Sequence, residues 1–157
     1  MIPTSFFVTS GKAISPVSEL NAFDLALKKA SIAQCNLVNV SSIIPQNCKE
    51  VKSKKLPSGQ ITFCVLARMD GTEGTTISAG IGWTPNSKGY GLVAEHHGHM
   101  DSNRTKEILE WKMKEMSKIR NLNVSDIRFR VETLRVPMDN YGCTISAFVY
   151  LEGEKVE

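Results

Sequence analysis

Asn36-Leu37-Val38-Asn39-Val40-Ser41-Ser42-Ile43-Ile44-Pro45 is the stretch on which the fold of this chain turns. Asn36 to Ser41 reads as a short apolar strand, and two β-branched residues then run into a proline, which cannot donate to a sheet ladder. The Ser41-Ser42 step between them is either an ordinary strand end or a place where the backbone itself is altered. Residue types alone leave both readings open.

Upstream, Ser5 to Thr9 reads as a strand closed by Ser10-Gly11, and a loop with Pro16 follows. Ser18 is a good N-cap, Glu19 favours a first turn, and Leu20, Phe23, Leu27 and Ala30 repeat at helical spacing, which predicts a helix from about Glu19 to Ala33. Asp24 conflicts with that pattern, because it lies four residues after Leu20 and three before Leu27. It is either a solvated rim residue beside Lys28 or a carboxylate kept for a cationic ligand.

Downstream, the basic run Lys49 to Lys55 reads as a solvated loop ending in the turn residues Pro57 and Gly59. Strands are expected over Gln60 to Arg68, Thr75 to Trp83 and Tyr90 to His97, with Asp70-Gly71 and Lys88-Gly89 as turns. The small residues in the middle of Thr75 to Trp83 predict close approach of another backbone or a ligand. A second helix, capped by Asp101 or Ser102, runs to about Arg120 with a stripe of Ile108, Leu109, Trp111, Met113, Met116 and Ile119, its methionines read as core filling. Strands over Ile127 to Val136 and Cys143 to Leu151 finish the chain. The order β-α-β-β-β-β-α-β-β predicts an α+β fold with helices covering sheets, in a single domain.

With 157 residues, 41% hydrophobic and 22% charged, the chain can bury a real core. A net charge of +3, from 19 basic and 16 acidic residues, is too small to argue for a nucleic-acid or membrane surface. No signal-peptide pattern and no long apolar run is present, which predicts a cytoplasmic protein. Cys35, Cys48, Cys64 and Cys143 form no C-x-x-C pair, so buried thiols are expected and no metal site is predicted.

Glu95-His96-His97-Gly98-His99 is the most visible polar cluster. Neighbouring strand residues face opposite ways, so His96 and His97 cannot share an ion without distortion, whereas His97 and His99 could if the strand ran on through Gly98. Incidental histidines at a strand end are the favoured reading. Glu95 ends an apolar strand, where burial would let it carry a proton near neutral pH, although a strand-end glutamate is commonly just solvated.

Taken whole, Asn36 to Pro45 resembles the self-cleavage segment of the pyruvoyl-dependent arginine decarboxylases, in which an Asn, four intervening residues and Ser-Ser-Ile-x-Pro mark the processing site. Leu20-Asn21-Ala22-Phe23-Asp24, Thr76-Ile77-Ser78-Ala79, Gly91-Leu92-Val93-Ala94-Glu95 with Gly98, and Gly142-Cys143 extend the resemblance in order across most of the chain. The resemblance implies cleavage between Ser41 and Ser42 into a β chain, 1–41, and an α chain, 42–157, with Ser42 converted to a covalent pyruvoyl cofactor that acts as an electron sink. It further implies that Asn36 assists by hydrogen bonding near the scissile carbonyl, that Glu95 is the proton donor, and that Asp24 binds the substrate guanidinium. The implied fold is an αββα sandwich. The implied assembly is a homotrimer, or a dimer of trimers, with sites at subunit interfaces, and the implied reaction turns L-arginine into agmatine and carbon dioxide on the way to polyamines. His96 and His97 depart from the aromatic or small polar residues expected after Glu95, and Asn39 is unexplained. Two alternatives stand beside this reading: a pyruvoyl decarboxylase of another amino acid such as histidine, and an unprocessed, non-catalytic oligomeric relative.

Overall fold

Ser10 and Gly11 do not end the first strand. In the computed structural model, which describes residues 1–153, every second residue from Gly11 to Ser15 is buried and the strand continues with them. The elements in chain order are β1 (Ser5–Ser15), α1 (Glu19–Lys29), β2 (Asn36–Asn39), β3 (Ile43–Ile44), β4 (Lys49–Glu50), β5 (Ile61–Thr72), β6 (Thr76–Thr84), β7 (Gly91–Gly98), α2 (Ser102–Ile119), β8 (Arg128–Arg135) and β9 (Tyr141–Leu151). The chain is a mixed α and β structure, mostly strand, with two helices and two sheets.

One sheet has the order β2-β5-β9-β1-β4 and the other β3-β7-β6-β8. β9 is central to the first, antiparallel to β1 over their whole length, Ser5 opposite Leu151 through Ser15 opposite Tyr141. Its side chains alternate between two cores, so every residue after Tyr141 is buried, Thr144 and Ser146 included. Ile145, Ala147 and Val149 join Phe7, Ala22, Ala26 and Ile32 beneath α1. Phe148 and Tyr150 meet Phe6, Val65, Ile81, Trp83 and Val93. A third cluster joins Leu92 and Ala94 of β7 to Leu109 and Met113 of α2.

Both helices differ from expectation. Ser18 Oγ does accept the Asn21 N–H at 3.2 Å, but α1 stops at Lys29 because Ser31 turns left-handed at φ 62°. Its buried line is Ala22, Ala26 and Ala30, while Leu20 is 69% exposed. Small residues face inward because β1 lies so close that a Cβ on Gly11 would collide with the Ala26 carbonyl oxygen. Gly11→Ala should therefore destabilise the fold by about 1–3 kcal/mol, read as a lower denaturant midpoint.

Along α2 the buried residues are Thr105, Leu109, Met113 and Ser117, a strict i, i+4 line. Trp111 and Ile119, assigned to the apolar stripe, are 65% and 79% exposed. The narrow contact follows from β6, where a Cβ on Gly80 would come within 3.0 Å of Thr105, Val131 and Leu109 side chains. The small residues of β6 thus admit α2 and β8, and close approach there needs no ligand. β5 also runs straight through Asp70-Gly71, which pair with Cys143 and Gly142. The reversal comes at Glu73-Gly74, with Gly74 at φ +77°. Lys49, placed in a loop by composition, begins the two-residue β4 beside Ser5. Among the described residues, no helix is long and apolar enough to cross a membrane.

Candidate active site at the crossover between the sheets

Ser41 and Ser42 lie where the chain leaves one sheet for the other. β2 is an edge strand of the first sheet, parallel to β5 with Asn39 opposite Cys64, and Val40 N–H donates to the Cys64 carbonyl at 2.9 Å. Three residues later β3 is an edge strand of the second sheet, antiparallel to β7 with Ile43 opposite Leu92. The Ser42 carbonyl accepts the Val93 N–H at 2.9 Å. Hydrogen bonds thus hold both flanks, and the Ser41–Ser42 peptide spans the gap between them. Ser41 is exposed and Ser42 half-buried. Ser41 also lines a cavity of about 390 Å³ with Met1, Val40, Ile43, Phe63 and Tyr150.

The same register brings Glu95 to this crossover. Val93 and Glu95 point to one face of β7, about 7 Å apart along the strand, and Val93 is the residue that holds Ser42. Glu95 is open to solvent on one side, yet the chain around its carboxyl excludes enough water to raise its pKa above the usual carboxylate range. The positive charges of His97 and Lys112 pull it partly back. Burial, with the Glu95 charge adding to it, pushes the Cys64 thiol up to about 12, so Glu95 is within electrostatic reach of the β5 residue that receives Val40.

Lys112 is a neighbour that residue types did not single out, because on α2 it reads as one more solvated lysine. Its Nζ donates to the Glu95 carbonyl at 3.2 Å and lies 2.8 Å from His96 Nδ1. Desolvation and the Lys112 charge both lower the His96 pKa. His97 lies opposite Ala79 and is exposed, with β7 ending at Gly98 before His99. Among the described residues no group of three or more His, Cys, Asp or Glu is arranged to hold a metal ion.

Asn36 and Asp24 do not join Ser42 within one chain. Asn36 opens β2, five residues before Ser41 and up to roughly 16 Å away along an extended strand, and its Nδ2 donates to the Gly59 carbonyl at 3.0 Å. Asp24 is exposed on the outer side of α1, about 160° around the helix from the buried Ala22 and Ala26. The sequence pattern had put it on or beside the buried face. The alanine line sets the true rotation, and Asp24 points away from the sheet that α1 covers.

A family model described as pyruvoyl-dependent arginine decarboxylase (PvlArgDC) matches residues 5–155. A protein of Methanothermobacter thermautotrophicus named pyruvoyl-dependent arginine decarboxylase is 34% identical over 147 residues, covering 92% of this chain and 95% of the relative. A Methanococcoides burtonii protein of the same name is 40% identical over 115 residues, 69% of this chain and 63% of its own length. A Chloroherpeton thalassium protein named as a probable enzyme of this kind is 40% identical over 103 residues, 61% of this chain and 56% of its own length. The match thus spans less than two thirds of the last two relatives.

Proposed function

Because this chain belongs to the pyruvoyl-dependent arginine decarboxylase family, we propose that it is a self-processing enzyme that converts L-arginine to agmatine and carbon dioxide. The observation that carries the reading is the crossover: the Ser41–Ser42 peptide is held from both sheets, and Glu95 lies two residues along β7 from the N–H that holds Ser42. In the proposed cleavage, Ser42 Oγ bonds to the Ser41 carbonyl carbon as the C–N bond breaks, and the hydroxyl proton passes to the freed amine. Loss of the Ser42 Hα as a proton, with breakage of Cβ–Oγ, releases Ser41 as a carboxylate. Water then replaces the nitrogen, which leaves as ammonia. Together the two products weigh as much as the precursor plus one water minus one ammonia.

The surroundings of Ser42 fit a pyruvoyl group, because its backbone carbonyl already has a fixed donor in Val93 and a carboxyl of raised proton affinity stands on the same strand face. When formed, that group supplies the electron-withdrawing carbonyl through which an α-carboxylate is lost. Glu95 is the proposed proton donor to the substrate's α-carbon, a role that requires its acid form. Asp24 is the proposed partner of the guanidinium, since a carboxylate accepts two parallel N–H bonds from that planar fork.

Asp24 faces away from its own sheet, so the site is proposed to be shared between chains of a homotrimer or a dimer of trimers. Leu20, one turn earlier on the same face of α1, is exposed, which places apolar surface beside the carboxylate as a subunit contact would. The order of packing, α1 on one sheet, the sheets against each other and α2 on the second, supports the αββα sandwich. The residues form a single domain cleaved into 1–41 and 42–157, with a cytoplasmic location and a place in polyamine synthesis proposed on the same grounds. Asn36 is the proposed assistant to cleavage, acting from a neighbouring chain or after releasing Gly59.

Incubation of purified protein with a panel of amino acids tests the function directly: agmatine formation should far outpace every other amine, and parity with histamine would sink the arginine assignment. Asp24→Asn should lower kcat/KM for arginine roughly 10–100-fold while leaving chain cleavage unchanged. Mixed oligomers of Asp24→Asn and Glu95→Gln chains should be more active than the sum of the two alone, whereas a site built within one chain gives no such gain.

A further inference from the structure

We propose that Asn39 and Tyr150 are positioning residues for the cleavage, fixing the two ends of the crossover so that Ser42 Oγ is presented to the Ser41 carbonyl. The inference rests on the self-processing reading and assigns work to two side chains that the reading does not use.

Asn39 governs where the chain leaves β5. With Asn39 opposite Cys64 and Val40 N–H bonded to the Cys64 carbonyl, a continuing parallel ladder would next run from Leu66 N–H to the Val40 carbonyl. Leu66 N–H instead donates to Asn39 Oδ1 at 3.0 Å. The side-chain amide takes the place of the backbone acceptor. The chain can therefore depart one residue before Ser41 with the Leu66 N–H still bonded within the protein. An apolar residue at 39, which the strand pattern would otherwise favour, offers no such acceptor.

Tyr150 fixes the other end. It belongs to β9 of the first sheet, is 6% exposed, and stands edge-on to Phe148 with ring centroids 5.0 Å apart. Its hydroxyl crosses to the second sheet and donates to the Ile43 carbonyl at 2.7 Å. Burial, with nearby Cys48 adding to it, raises the phenol pKa, so the hydroxyl keeps its proton across the physiological range. β3 is only two residues long, and without Tyr150 its place would depend on a short ladder to β7. With it, the two carbonyls after the scissile bond, of Ser42 and Ile43, each have a donor, Val93 N–H and Tyr150 Oη. Anchors on both sides restrict the peptide between them, and restricting the approach of two groups in one chain is what raises the effective molarity of an intramolecular attack.

The test follows cleavage over time in freshly synthesised full-length chain by denaturing mass measurement. Tyr150→Phe keeps the ring and loses the hydroxyl; Asn39→Ala loses the acceptor, and Asn39→Asp keeps one. The first two should cleave roughly tenfold or more slowly than wild type, and Asn39→Asp close to the wild-type rate. The cleaved fraction of each, counted by titration of its carbonyl group, should decarboxylate arginine as the wild type does. Thermal melting in an uncleavable Ser42→Ala background separates positioning from general destabilisation, and little change is expected there. Wild-type cleavage rates in Tyr150→Phe and Asn39→Ala, or slowing that merely tracks lost stability, would overturn the proposal while the self-processing reading stands. A wild-type chain that never cleaves would overturn both.

Discussion

Ser42→Ala should remain a single full-length chain and show no decarboxylation above background. The attack that opens the Ser41–Ser42 bond needs a β-hydroxyl or thiol at position 42, and alanine has neither. The loss should be complete, because the same atom is required for cleavage and for making the cofactor. The variant should also be well folded: the bond that holds residue 42 runs from Val93 N–H to its backbone carbonyl, and a methyl group at a half-buried position disturbs neither. A native-like circular dichroism spectrum with one intact mass is the expected result. Two chains cut between 41 and 42 would show that Ser42 is not the nucleophile. Ser42→Cys supplies a thiol and should cleave.

Glu95→Gln separates the two reactions. Cleavage should proceed, since glutamine keeps the shape of the side chain on β7, while decarboxylation should fall roughly 10²–10⁴-fold for want of a proton donor. The pH dependence follows from the environment of the carboxyl. Burial raises its pKa and the acid form is the one proposed to act, so activity should hold below that raised value and decline as pH rises through it. His97 and Lys112 both oppose the rise. Removing one opposing charge in His97→Gln should move the alkaline limb of the kcat profile to higher pH. A limb that stays in place, or moves to lower pH, would separate the titrating group from Glu95.

The strands were legible where alternation was clean and misread where small or turn-forming residues broke it. Ser10-Gly11 and Asp70-Gly71 look like stops, but in both places a full antiparallel ladder runs through, to β9 in each case, because the cross-strand partner and not the local residue decides. Helix rotation was misread for a related reason. Leu20 and Ile119 suggest apolar faces, yet Gly11 on β1 permits an approach so close that alanines line the α1 contact, and Gly80 on β6 narrows the α2 contact to Thr105, Leu109, Met113 and Ser117. Ser42 and Glu95, the proposed nucleophile and proton donor, drew attention through the order of motifs, and the fold brings their segments together where β3 pairs with β7. Asp24 and Asn36, proposed for the same site, are kept apart from Ser42 within one chain, which no local pattern foretells. Lys112 and Tyr150 carried no local signal, and Asn39 stood out only as an unexplained polar residue in its strand. Each acts by reaching a backbone carbonyl or N–H that is distant in sequence, and only tertiary structure shows such a contact.

The position of β1 has a consequence for the proposed cleavage. β1 lies between β9 and β4, and β2 pairs with β5, so the short piece 1–41 contributes an interior strand, an edge strand and a covering helix to a sheet otherwise made by the longer piece. Before cleavage, strands from the two pieces find each other within one molecule, at the high local concentration a covalent tether provides. After the proposed cut they would be separate molecules, and refolding from denaturant would become a second-order encounter that slows on dilution. The uncut chain would refold as one molecule, whereas the proposed two-chain form would inherit its architecture from a molecule that no longer exists. Its endurance is then governed by how slowly β1 escapes from between its two neighbours.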